Sequence, residues 1–210
     1  MATITAFPAI TPTTSQIGIL YNTKVFRSPL TGAIQTATRE GARWQMQLMF
    51  NNLNESERSV MRGYLAFMNG QENRVEVGDH AYTGARGALG GTALVNGATQ
   101  TGTQLITDGW PNSTVVLKAG DYFSFTNGTN KEFKMVTSDV TSDGSGNATI
   151  NCSPEIHTSP ADNASIETAA PVGTFYLAEP AVNWDNMPSQ FGGVASPRSS
   201  FTVSLIEDIL

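Results

Sequence analysis

Two histidines and one cysteine limit the chemistry this chain can perform. His80 follows Asp79, the order of an acid–base pair. Neighbours on a strand point to opposite faces, so the pair reads more simply as part of a solvated loop. His157 follows Cys152 at a Cys-x4-His spacing. Zinc needs four ligands and no second pair is present, so Cys152 reads as a small buried residue near a strand end. Residues 84–91, Gly-Ala-Arg-Gly-Ala-Leu-Gly-Gly, are glycine-rich but lack the Gly-Lys-Ser/Thr ending of a phosphate loop and precede no amphipathic helix. They read as a flexible linker.

Asp139-x-Thr141-x-Asp143-Gly144 begins like a calcium loop. Its twelfth position is Ile150, where a bidentate Glu is required, so an Asp-Gly hairpin turn is expected instead. There is no Gly-x-Ser-x-Gly and no His-Glu-x-x-His. Carboxylates are scattered singly, so no glycosidase pair can be named. No catalytic, cofactor-binding or metal-ligating residue is therefore assigned, no cofactor is expected, and the chain is not expected to be an enzyme.

Binding chemistry is the remaining possibility. Trp110, Tyr122, Phe123 and Phe125 could stack on sugars or single-stranded bases. Around them stand only Arg86, Lys118, Lys131 and Lys134 against eight acidic residues. Sequence-specific nucleic acid is thus not an expected partner. Most of these aromatics read as core.

The composition agrees with a binding or structural role built on strands. Of 210 residues 40% are apolar and only 14% charged, with 20 Gly and 10 Pro. That favours short strands and tight turns over a helical bundle. The net charge is −6. A lone cysteine leaves no internal disulfide. The first residues carry no cation before Lys24, no stretch has the length of a membrane span, and synthesis in the cytoplasm with no membrane partner is expected. The sequons at Asn54, Asn112, Asn127, Asn147 and Asn163 read as turns rather than glycan sites.

Periodicity supplies the elements. Ala42, Trp44, Met46, Leu48 and Phe50 alternate with Arg43, Gln45 and Gln47, predicting a strand with one apolar face. Earlier strands are predicted over 17–25 and 33–39. Asn54 with Glu57 forms a capping-box pattern. Val60, Met61, Tyr64, Leu65 and Met68 follow at helical spacing, with Gly70 as the C′ residue. Residues 74–77 return to an extended pattern. Further short strands are predicted over 104–107, 114–117, 122–126, 132–136, 148–151 and 165–168, punctuated by Asp108-Gly109, Ala119-Gly120-Asp121, Asn127-Gly128 and Asp143-Gly144. The tail offers 174–177, a stretch around Trp184, and a strand on which Phe201, Val203 and Leu205 alternate with Thr202 and Ser204.

Charge divides the same sequence. Residues 1–80 hold seven cations and six acids, 81–176 four and eight, and 177–210 one and four. The first segment has too few strands to cover an apolar sheet, and the tail supplies strands with nothing of their own to cover. The economical organisation has residues 1–82 and 175–210 forming one domain and residues 83–174 inserted in it as a small β-barrel. The fold class is mainly β with a minor α part: a β-sandwich-like domain with one helix, plus the inserted barrel.

That order of parts, and several stretches within it, resembles a known family. The stretches are residues 97–106 (Gly-Ala-Thr-Gln-Thr-Gly-Thr-Gln-Leu-Ile), 117–123 (Leu-Lys-Ala-Gly-Asp-Tyr-Phe) leading to 132–136 (Glu-Phe-Lys-Met-Val), 144–150 running to the Pro154 turn, and 200–210. Together they resemble the distal tail proteins of long-tailed bacteriophages (siphoviruses), in the variant with an OB-type barrel inserted into the ring-forming domain. The resemblance implies a structural virion component. It implies a homo-oligomeric ring, usually a hexamer, at the tail tip, with the tail tube protein on one side and the tip or baseplate hub protein on the other. The genome would pass through the lumen of that ring. The alternative is a carbohydrate-binding module with the barrel as binding face.

Overall fold

The structure, a computed structural model, describes residues 2–88, 90–187 and 197–209. Its organising strand is β5 (Arg43–Leu53), which follows the short strands β1 (Ile4–Ala6), β2 (Thr14–Leu20), β3 (Thr23–Arg27) and β4 (Ile34–Thr38). The alternation of β5 buries Trp44, Met46, Leu48 and Phe50 and turns Gln45 and Gln47 to a trough on the opposite face. β5 pairs antiparallel with β2 on one side and with β17 (Arg198–Glu207) on the other. The far edge of β17 is shared by two strands: residues 205–207 meet β15 (Gly173–Leu177) and residues 198–201 meet β16 (Trp184–Met187). β15 pairs antiparallel with β6 (Arg74–Val77), and β6 pairs parallel with β1, which completes a mixed sheet of seven strands.

Helix α1 (Glu55–Met68) covers the apolar face. Asn54 caps it: its side chain accepts the Glu57 N–H at 3.0 Å, and the Glu57 carboxylate accepts the Asn54 N–H at 3.0 Å. Met61, Leu65 and Met68 project into the sheet core with Val75, Val77, Phe175, Leu177, Phe201, Val203 and Leu205. Asn69 is the left-handed C-cap, and Gly70 follows it as the C′ residue, also at positive φ, as expected.

Residues between β6 and β15 form a second sheet. Its strands are β7 (Leu94–Val95), β8 (Gly102–Asp108), β10 (Tyr122–Asn127), β11 (Asn130–Val136), β13 (Ala148–Ile156) and β14 (Ile166–Glu167), in the order β14-β10-β11-β13-β8-β7. A bridge between Leu94 and Ser165 brings the two end strands together, so this six-stranded antiparallel sheet is a nearly closed barrel. A pair made of β9 (Val115–Leu117) and β12 (Val140–Thr141) lies beside it and adds Val116, Leu117 and Val140 to its core. The molecule is thus mainly β with one helix, as expected.

The insertion point is geometrically simple. β6 and β15 are direct neighbours, with Val77 opposite Gly173. The chain leaves the first sheet and returns to the adjacent register after nearly a hundred residues. Exit and return touch: a Cβ at Gly78 would lie 2.3 Å from the Pro171 carbonyl oxygen. Glycine is required there by close backbone approach.

Several expectations change. The strand expected over 17–25 is two strands, because β2 stays in the main sheet while β3 leaves it to form an arm with β4. The first unit, expected to be sandwich-like with one helix, is one mixed sheet covered by α1 and by Phe133 from β11. β1, β7 and β12 have only two or three residues each and leave no periodic trace. Among the described residues of 84–91 the chain is no free linker. Arg86 N–H and Nε donate to buried Asp121 at 3.0 and 2.8 Å, and Ala88 N–H donates to Val115 O at 2.9 Å. Leu89 lies outside the described residues.

Candidate functional site

Two features stand out from the rest of the surface and core. The first is the seam where β11 meets the main sheet. Trp44 Nε1 donates to the Phe133 carbonyl at 2.7 Å, and the two rings meet edge to face at 5.4 Å. Tyr122 stacks on Phe133 at 4.8 Å, and Tyr82 meets Tyr122 edge-on at 5.2 Å. Burial of the Tyr82 phenol pushes its pKa up to about 12. Beneath these rings lies a buried array of charge. Lys134 Nζ is 3.0 Å from Glu132 Oε2 and 4.0 Å from Glu207 Oε1. Glu207 accepts the Trp44 and Phe133 N–H groups, each at 3.1 Å. Glu132 accepts the His157 and Thr158 N–H groups at 3.3 and 3.2 Å.

The chemistry of this array is that of a lock. Burial pushes the Glu207 carboxyl above its ordinary range, against the pull of Lys134 and the two backbone donors. Each charged group is fixed by partners from the other unit or by its own strand, so any shift of the barrel against the sheet would strand a buried charge. Further ties flank it: Lys131 Nζ to Glu76 Oε2 at 2.8 Å, Lys131 N–H to Thr174 Oγ1 at 2.8 Å, and Gly41 N–H to Glu155 Oε1 at 3.0 Å.

The second feature is the arm β3–β4. All ten of its strand residues are exposed. It carries Val25, Phe26 and Ile34, each more than half exposed, and at its tip Leu30, which is 94% exposed. Its cations are Lys24 and Arg27, with Arg39 at its base, and residues 21–39 contain no acid.

The residues that first drew chemical interest are dispersed. His80 and Asp79 lie in the turn after β6, where Asp79 Oδ1 accepts the Ala81 N–H at 2.9 Å and His80 meets the Phe7 ring at 6.3 Å. Burial lowers the His80 pKa. Cys152 is buried within β13, and burial pushes its thiol up to about 11, far from a nucleophilic thiolate. His157 Nε2 lies 2.8 Å from the Ala42 carbonyl, away from any metal partner. Asp143 organises its turn by accepting from Ser145 and Asn147. No group of three or more His, Cys, Asp or Glu suited to a metal occurs among the described residues. No helix among them is long and apolar enough to cross a membrane.

Trp110, Phe123 and Phe125 are buried in the barrel core. Lys134, counted above as a cation near these aromatics, is fully buried instead. Nothing in the sequence signals this, because Glu132 and Lys134 alternate with Phe133 and Met135 as the polar face of a half-exposed strand would.

No protein-family model matches the chain, and no curated protein matches it.

Proposed function

We propose that the protein is a structural, non-catalytic component of a siphovirus tail tip, forming a homo-oligomeric ring between the tail tube and the tip hub. The observation that carries this reading is the insertion geometry. A barrel-like sheet leaves and re-enters a helix-backed sheet between neighbouring strands, in the order of parts that the distal tail proteins show. A wholly exposed apolar arm on the same sheet domain adds a surface suited to subunit contact. The barrel would sit on the outer rim, where it leaves the lumen open to the genome.

The glycan-binding alternative draws less support. Its stacking platform would need exposed rings on the barrel, and Trp110, Phe123, Phe125 and Phe133 are buried.

Negative-stain electron microscopy of the purified protein, with light scattering, tests the reading. Closed rings of about six copies are expected, or a weak monomer that assembles on the tube protein. A strict monomer that also fails to bind the tube protein would overturn it.

A further inference from the structure

We infer that the β3–β4 arm of one copy docks on the acidic flank of the barrel of a second copy, in the groove lined by Ile106, Asp139, Thr141, Asp143 and Thr149. The inference rests on the ring reading and names its contact.

The arm cannot be explained as part of its own monomer. A two-stranded hairpin has no core of its own and is at best marginally stable in water. Here both faces are open. In the register Val25 faces Thr36 and Arg27 faces Ile34, so one face presents Val25 and Ile34 beside Arg27. The other presents Phe26 and Ala37 beside Lys24. Apolar side chains flanked by cations call for a surface that is partly apolar and acidic.

Charge indicates where that surface lies. The arm with its base, residues 21–39, has three cations and no acid, while the rest of the chain has nine cations against eighteen acids. Part of that acid is already neutralised. Asp121 is paired with Arg86, Glu132 with Lys134, and Glu76 with Lys131. The lining of the groove between β8, β12 and the following turn includes Asp139 and Asp143, both exposed, and no cation, although Arg86 acts on Asp139 from outside it. Bonds from Asn147 hold the Asp143 pKa below the ordinary carboxylate range, so its charge persists. Ile106, half exposed on β8 and opposite Thr149 on β13, supplies the apolar floor. Arm and groove are different surfaces of one chain, so the contact is heterologous, and repetition of such a contact closes a ring when the rotation permits.

A charge-swap pair tests this. The arm variant is Lys24→Glu with Arg27→Glu. The groove variant is Ile106→Lys, Thr141→Lys and Thr149→Lys, all exposed positions. Circular dichroism melts confirm that each remains folded. In light scattering at low salt the wild type should assemble, and each variant alone should fall to the 22.4 kDa of one chain. An equimolar mixture should assemble again, because each arm then meets a groove of opposite charge. Variants that assemble alone would overturn the arm contact and leave the ring standing. Variants that fail both alone and mixed would place the arm's partner elsewhere and overturn the groove. A wild type that stays monomeric at every concentration, with a monomeric mixture, would overturn both the contact and self-assembly in solution.

Discussion

Trp44 does three jobs at one position. It fills the core of the main sheet, packs on Phe133, and satisfies the Phe133 carbonyl through its indole N–H. Trp44→Ala should therefore cost about 3–5 kcal/mol. Trp44→Phe keeps much of the bulk but leaves a buried carbonyl unpaired, which costs about 1–3 kcal/mol. Urea denaturation of the two variants checks both values, and wild-type stability in either would show that the seam is not closed. Glu207 makes a second prediction at this scale. Its folded pKa is raised, so the folded state binds its proton to higher pH than the unfolded chain does. Its contribution to stability then falls as pH rises above 4.5. Carbon-13 NMR of labelled glutamate should show one carboxyl titrating above that ordinary value. The alternation that buries Trp44 was legible in the sequence. Its partner was not, because Phe133 lies 89 residues away on a strand whose own pattern indicates only a barrel core.

Among the elements, α1 and β5 were the most legible, since a capping box and an apolar alternation running to Phe50 are local signals that packing then reinforces. Asn54→Ala removes the cap and should cost about 1 kcal/mol, read as a lower melting temperature. The arm was less legible. Its alternation looks like that of any strand, and only the pairing shows that β3 and β4 meet each other and nothing else. Residues 84–91 read as a linker in the sequence because glycines signal breaks whether they are free or tightly packed. Gly87 is the second kind: a Cβ there would lie 2.0 Å from the Val116 carbonyl oxygen, backbone that cannot swing aside. Gly87→Ala should thus lower the melting temperature of the protein, whereas a free linker would tolerate it unchanged.

At the scale of the molecule, the barrel and the sheet hold separate cores that meet through Phe133, Tyr122, Met135 and the Glu132–Lys134–Glu207 array. Urea unfolding monitored by tryptophan fluorescence and by circular dichroism should give coincident transitions. A chain joining residues 1–82 to 175–210 through a short Gly/Ser loop closes easily in entropic terms. It would nonetheless expose Trp44 and Phe175 and leave Glu207 without its ammonium. It should unfold at lower urea than the intact protein, and equal midpoints would show that the seam adds nothing. Charge and glycine content change along the sequence, but the seam was not legible there, because it consists of contacts between residues that no local window contains.

The place of β17 between β15 and β5 also sets an order of events in time. It is the last of the described strands to leave the ribosome, yet it occupies the interior of the main sheet. Until it arrives, β5 has only β2 beside it, and β6 and β15 form a separate edge. The barrel, whose strands all lie within residues 94–167, has every partner it needs well before that moment. The nascent chain should therefore acquire its inserted unit first and close the enclosing one around it afterwards. The main sheet that carries the exposed arm is thus completed only when synthesis of β17 is complete.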